Sequence, residues 1–252
     1  MKEVITQLKT IVKGLIQTYY NLTGHGNLPV FIIYASARTG SNFLVSLLKS
    51  HPNIHVYGEI YAKFRGSTTE GIWKRMVSSH KPKKIKLVGF KIFYNHPRHD
   101  GNMEIWEKLQ GRKDIKVIHL TREDKLRTFL SRKIATQTDE WKNLNGKADI
   151  PLEKRRTSLS IQEFQEWSAW LDEKRELTKP YLKDHEWLEV TYESLAQNQT
   201  EEIRRIMDFL GMESSEVKSQ YKKQNQEKLS ELITNYEAFC AEAKGTEAEA
   251  FL

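Results

Sequence analysis

The chain predicts an α/β domain of three layers, a central parallel sheet between two layers of helices. Three observations lead there. Short apolar runs at 30–35, 54–57, 85–93, 115–120 and 187–192 have the length and composition of strands. Segments of helical period at 43–48, 71–79, 103–110, 125–138, 161–181 and 200–210 lie between and after them. Strands that alternate with helices are joined by crossovers, which makes neighbouring strands parallel. At 252 residues, 38% of them apolar, the chain can bury one good core, so it is read as a single domain over 1–252.

The elements follow in order. Val4, Ile5, Leu8, Ile11, Val12, Leu15, Ile16 and Tyr19 recur at helical intervals, with Lys2, Lys9 and Lys13 on the other faces. This amphipathic helix over 1–25 is expected to pack on the body of the domain; a homodimer contact or peripheral attachment to a membrane is the alternative. Gly24-His25-Gly26-Asn27 reads as a linker. The helix opening at Phe43 ends at His51-Pro52, because proline disfavours α geometry in the residue before it. Ser160-Ile161-Gln162-Glu163 forms a capping box ahead of the Phe164, Trp167, Trp170 and Leu171 stripe, which makes those residues core. The polar stretch 141–158, with Gly146 and Pro151, is long for a compact domain and reads as a substrate loop, Arg155 and Arg156 being candidate contacts. Thr200 is expected to cap a helix that Gly211 stops. A further helical run covers 229–236, and the Ala/Glu-rich end at 238–250 reads as a frayed helix.

The chemistry concentrates at Ser36-Ala37-Arg38-Thr39-Gly40-Ser41-Asn42, between the 30–35 strand and its helix. Backbone N–H groups at a helix start have no intrahelical acceptor and sit at the positive end of the dipole, so they bind anions. Arg38 adds a fixed cationic fork, and Thr39 and Ser41 add hydroxyl donors. The turn reads as a phosphate cradle, yet it lacks the lysine and earlier glycine of GxxxxGK[ST] and is not GxGxxG.

Composition narrows the classes. A net charge of +7 suits an anionic partner but does not distinguish a nucleotide from nucleic acid or lipid; no nucleic-acid motif accompanies it. One cysteine excludes an intrachain disulfide and fits a cytoplasmic protein. The eight histidines and Cys240 show no metal-ligand spacing, so no metal is expected. No apolar run reaches 18 residues, and Glu3, Gln7 and Lys9 interrupt any signal-peptide core.

The order strand-Arg-Thr-Gly-Ser-Asn-helix resembles the 5′-phosphosulfate loop of sulfotransferases that use 3′-phosphoadenosine 5′-phosphosulfate (PAPS). It is most similar to their bacterial branch, which holds carbohydrate enzymes of the nodulation-factor and trehalose types. Two later segments agree. Arg122 ends the 115–120 run and Ser131 follows nine positions on, the arginine–serine spacing of that branch's 3′-phosphate site. Nine helical residues rise about 13 Å, so the pair works only if Arg122 stands before the helix and reaches across its first turns. The string VTYESL…IRRIMDFLGM, from Val190 to Met212, resembles the family's late tyrosine-bearing segment.

The resemblance implies a P-loop-like fold and PAPS as cosubstrate, with adenosine 3′,5′-bisphosphate as product. Arg38, Thr39, Gly40, Ser41 and Asn42 would hold the 5′ end, Arg122 and Ser131 the 3′-phosphate; Tyr192 would lie beside the adenine, and Lys223 in a late basic loop would add a contact. Arg38 and Arg122 are thereby expected to grip opposite ends of one molecule. Gly58-Glu59 matches the general-base position of the trehalose-type enzymes, and partial burial is expected to raise the Glu59 pKa toward neutrality. A salt bridge from Glu59 to Lys63 or Arg65 is the competing reading. Lys91, with Arg38, would polarise the sulfuryl group, or else snorkel from its strand. Many cytosolic members carry Lys-x-His here, whereas this chain has Lys91-Ile92-Phe93, which leaves His96 as the fallback base. The acceptor implied is a hydroxyl on a carbohydrate or glycolipid. A P-loop-like nucleotide kinase and a non-catalytic basic anion-binding module are the alternatives.

Overall fold

A computed structural model describes residues 2–64, 66–98, 102–141, 150–221 and 227–252. Five strands, β1 (Val30–Ala35), β2 (Ile54–Tyr57), β3 (Leu87–Phe93), β4 (Lys116–Thr121) and β5 (Trp187–Thr191), form one sheet in the order β2-β3-β1-β4-β5. Every pair is parallel. The three-layer α/β expectation is met.

The apolar runs form strands because both of their faces are covered. All six β1 residues are buried. Phe31, Ile33 and Ala35 join a cluster with Leu44 and Leu47 of α2 (Ser41–Ser50) and with Ile206 and Leu210 of α9 (Gln199–Leu210). Val30, Ile32 and Tyr34 point the other way, to Ile72 and to Trp106 and Leu109 of α4 (Glu104–Gln110). A continuous apolar strand between two helical layers follows from the alternation of side chains along it. Gly89 of β3 lies under the Phe31 ring, where a Cβ would come 2.3 Å from ring carbons. A third cluster joins α5 (Lys125–Thr138), α7 (Ile161–Thr178), α10 (Leu229–Leu232) and α11 (Tyr236–Ala243).

Register levels the strand ends. Ile33 stands opposite Lys91 on one side and Ile118 on the other. β1 leads through α2 to β2, and β3 leads through α4 to β4, so adjacent strands send their connections to opposite sides of the sheet. That is the switch point outside which ligands bind in open α/β sheets.

Several expectations are corrected in detail. The 71–79 helix begins at α3 (Thr69–Ile72) and continues as a π turn over Trp73–Val77. Tyr192 does not end β5 but opens α8 (Tyr192–Gln197), whose cap is the Thr191 hydroxyl accepting from the Ser194 amide. Thr200 is no cap: Asn198 accepts the first bond of α9 from Glu202 while its own amide still bonds Ser194, so α8 runs straight into α9. Gly211 stops α9 at φ 69°. The 238–250 end is not frayed, for Phe239, Ala243 and Ala248 are fully buried and Glu247 binds Lys125 and Ser168.

The N-terminal segment is helical, α1 (Lys2–Thr23), but its apolar face does not pack on the body. Ile5, Leu8, Ile11, Val12, Leu15, Ile16, Tyr19 and Leu22 are 46–82% exposed. Contact with the body comes from the polar side, Gln17 donating to the His80 carbonyl, and from the helix end, where His25 and Lys81 exchange backbone bonds.

Candidate active site at the strand ends

The turn after β1 is shaped by two left-handed residues, Arg38 (φ 70°) and Gly40 (φ 78°). Thr39 closes it from within, donating to the Ser36 carbonyl. No side chain caps α2, whose N-cap is Gly40, so its first amides face the turn unsatisfied by a cap. Gly40 is also tied to a distant element. A Cβ there would lie 2.4 Å from Cδ2 of Tyr192, so the ring presses directly on the loop backbone.

Two guanidinium groups converge on this turn. Arg38 donates from Nε to the Ser131 hydroxyl at 2.9 Å and from Nη1 to the Trp141 carbonyl at 2.8 Å. Arg122 stands before α5, as the spacing required, and donates to the Arg38 carbonyl at 3.4 Å. Its guanidinium lies 4.8 Å from the centre of the Tyr192 ring, a cation–π contact, and 3.8 Å from Glu193. Burial, and then the charge of Arg122, pushes Arg38 down to about 10. Burial also lowers Arg122. Two cations held together below a protein surface are an anion site in waiting, since a dianion between them relieves both desolvation and repulsion.

Arg38, Arg122 and Ser131 therefore form one cluster. The two side chains keep different partners: Arg38 reaches Ser131, whereas Arg122 reaches the Arg38 carbonyl and lies against the Tyr192 ring.

The other side of the loop belongs to Lys91. It does not snorkel, being 1% exposed. Its Nζ reaches Asn42 Oδ1 at 2.8 Å, Ser41 Oγ at 3.3 Å and Glu59 Oε1 at 3.2 Å. The second oxygen of Glu59 accepts from Arg98 at 2.6 Å and lies 3.5 Å from His96 Nε2. The partners of Glu59 are thus Lys91, Arg98 and His96, not Lys63; Arg65 lies outside the described residues. The expected rise in its pKa is reversed. Burial alone raises the carboxyl, but His96, Lys91 and Arg98 outweigh it and bring Glu59 down to about 2.

His96 returns to this cluster through the turn after β3. Its Nδ1 accepts the Phe93 amide at 3.1 Å, which puts the proton of the neutral ring on Nε2, the atom facing Glu59. Burial lowers its pKa against the pull of Glu59. A ring with Nδ1 occupied and Nε2 protonated has no lone pair left to act as a base, and Nε2 faces Glu59 at 3.5 Å, buried without a hydrogen-bond partner among the described residues.

The sequence reading missed Arg98. It is two residues beyond His96, but only the backbone path, fixed where the Arg98 amide donates to the Ala62 carbonyl, turns it onto Glu59. Nε of Arg98 and Nε of Arg122 are buried without a hydrogen-bond partner among the described residues. Such orphan donors at the strand ends fit a polyanionic ligand. Tyr192 clamps Gly40 under Arg122, with burial raising its pKa. Arg155 forks onto Glu227 at 2.6 and 2.9 Å. Of the 141–158 loop, 142–149 lie outside the described residues, as does Lys223. Among the described residues no three His, Cys, Asp or Glu side chains gather where a metal could sit.

Comparison with known proteins agrees with the sequence resemblance. The model of the Sulfotransferase family matches residues 112–216, the stretch that runs from β4 through α9. Nodulation protein H of Rhizobium tropici is 28% identical over 193 residues, covering 72% of this chain and 75% of its own. Nodulation protein H of Rhizobium meliloti is 25% identical over 203 residues, covering 74% and 80%. Among solved structures, a sulfotransferase from Alicyclobacillus acidocaldarius aligns with a TM-score of 0.46 at 16% identity, over 86% of this chain and 92% of that one. Mouse sulfotransferase SULT7A1 complexed with PAP aligns with a TM-score of 0.39 at 14% identity, over 77% and 62%. The chain is similar to the Sulfotransferase family over residues 112–216.

Proposed function

We propose that the chain transfers the sulfuryl group of PAPS to a hydroxyl of a carbohydrate or glycolipid, with a carboxylate as general base and no metal. The observation that carries the reading is the pairing of Arg38 with Arg122 beside an uncapped helix start, flanked by the buried Lys91–Glu59 pair. The resemblance of residues 36–42 to the loop of carbohydrate sulfotransferases favours a carbohydrate acceptor.

When bound, the cosubstrate supplies an activated sulfur, whose bond to the bridging phosphate oxygen breaks as the acceptor oxygen bonds to it. Arg122, Arg38 and Ser131 make the cationic wall for a terminal phosphate. The first amides of α2, with Thr39, Gly40, Ser41 and Asn42, hold the end near the reaction, and Tyr192 borders the base. Lys91 stabilises charge on the transferring group and on the departing oxygen, the largest contribution expected where proton transfer is not the sole barrier.

Glu59 takes the acceptor proton. At about 2 its pKa makes it a weak base in the ligand-free protein, but Lys91 is shared between Glu59 and the loop at Asn42 and Ser41. An anion at the loop competes for Lys91, which loosens its hold on Glu59 and raises the carboxylate's basicity only in the loaded enzyme. His96 is a positioning residue that keeps Glu59 oriented and ionised. On this proposal the enzyme works in the cytoplasm, on a soluble or surface-presented acceptor; among the described residues no helix is long and apolar enough to cross a membrane.

Titration calorimetry with adenosine 3′,5′-bisphosphate in the absence of Mg²⁺ tests the binding half, and transfer of labelled sulfate from PAPS to a panel of oligosaccharides tests the rest. Binding without metal and a labelled sugar product are expected. No heat of binding, or Mg²⁺-dependent turnover of ATP, overturns the reading in favour of the kinase alternative.

A further inference from the structure

The outward face of α1 repeats with a period of 3.5. Ile5, Val12 and Tyr19 occupy one heptad position and Leu8, Leu15 and Leu22 the other. β-branched Ile5 and Val12 at a, with leucine at d, are the combination that favours two parallel strands, and Tyr19 fills the third a position. Ile11 and Ile16, at g and e, would meet each other across such a seam and widen it with no charge opposed to charge. All eight side chains are exposed, at 46–82%, and together offer roughly the 800 Å² per partner of a standard interface.

The orientation of α1 leaves that face open to a partner. Gln17, on the opposite side of the helix, donates to the His80 carbonyl, and Tyr20 on that side is half-buried. The helix is therefore turned with its polar side to its own body and its apolar side away. Its exit is fixed. Gly24 is wedged so that a Cβ would lie 2.3 Å from the Lys81 carbonyl oxygen, and His25 Nε2 meets the Ile85 carbonyl at 2.6 Å. Most helical stability in proteins comes from packing of an amphipathic face, and the body leaves the apolar face of α1 uncovered.

We infer that α1 is a dimerisation helix, which pairs with α1 of a second copy as a parallel two-stranded coiled coil along Ile5, Leu8, Val12, Leu15, Tyr19 and Leu22. A membrane surface would use apolar area alone and has no use for β-branched residues at one heptad position and leucine at the other. Of the anchor residues, His25 precedes β1 and Lys81 precedes β3, at the N-terminal end of the sheet, so pairing leaves the strand ends that carry Arg38, Lys91 and Arg122 uncovered.

Light scattering on the full chain at micromolar concentration, without lipid, tests the inference. The wild type is expected to show the mass of two chains and the Leu8→Glu/Leu15→Glu variant the mass of one. Near-ultraviolet dichroism from buried Trp106 should be unchanged, showing that the domain stays folded. In a Cys240→Ser background, Val12→Cys should form an intermolecular disulfide, since parallel pairing sets position 12 against itself. A one-chain wild type, a double variant that remains two chains, or a dimer in which Val12→Cys does not cross-link each overturns the proposal. A one-chain wild type that floats with vesicles of phosphatidylcholine and phosphatidylserine assigns the face to the membrane instead.

Discussion

Arg38 donates from Nε to the hydroxyl of Ser131 at 2.9 Å, which joins the loop after β1 to the middle of α5 across 93 residues. The sequence resemblance places Arg122 and Ser131 at one 3′-phosphate; in the fold each contacts Arg38, the serine at its Nε and Arg122 at its backbone carbonyl. The serine therefore orients an arginine as well as lining the site.

Ser131→Ala should weaken binding of adenosine 3′,5′-bisphosphate by about tenfold, the equivalent of about 1.4 kcal/mol from one hydrogen bond to a charged group. Arg38→Ala should cost about 2–5 kcal/mol, because Arg122 then faces the ligand without its neighbour. Calorimetry on the three proteins checks the ranking, and equal affinities would remove Arg38 from the site.

Glu59→Gln keeps the shape of the side chain and removes its basicity. The expected result is a fall of about 10²-fold or more in kcat with the bisphosphate affinity changed less than about twofold. Single-turnover transfer separates chemistry from product release. Full turnover in Glu59→Gln would show that the carboxylate only balances Lys91.

The acid side of the pH profile distinguishes the two readings of Glu59. Its folded pKa is depressed from 4.5 to about 2, so the stability it contributes is present above pH 4.5 and lost as pH falls toward 2. Denaturant midpoints of the wild type should therefore drop more steeply over that window than those of Glu59→Gln. In the free enzyme kcat/KM should show no Glu59 limb between about pH 5 and 8. A limb near neutrality that vanishes in Glu59→Gln would contradict the ion-pair cluster described here.

Gly40 and Tyr192 should be coupled. Gly40→Ala meets both a positive φ and the Tyr192 ring at 2.4 Å, and a destabilisation of about 1–3 kcal/mol is expected. Adding Tyr192→Ala relieves the clash but not the backbone strain, so the double variant should recover part of the loss. Purely additive effects in the cycle would mean that the ring does not rest on the loop.

Much of this protein was legible in the sequence because its signals are local. Apolar runs of strand length and helical periods between them marked the layers and the parallel sheet, and a small polar turn after 30–35 marked the loop proposed to bind the anion. The 125–138 helix and the Gly211 stop followed from the same short-range rules. The heptad of α1 is likewise written in the chain, although its outward orientation is not.

What tertiary structure alone decided is where long side chains point and what surrounds them. Spacing could not show that Arg38 turns to Ser131, that Arg98 reaches Glu59, or that Tyr192 rests on Gly40. Nor could it give the sign of the Glu59 shift, since burial and neighbouring cations act in opposite directions and their balance depends on distances of 2.6 to 3.5 Å set by the segment after β2, by β3 and by the turn that follows it. Backbone preference is a property of a few consecutive residues, whereas electrostatics is a sum over everything nearby, and only the folded chain determines what is near.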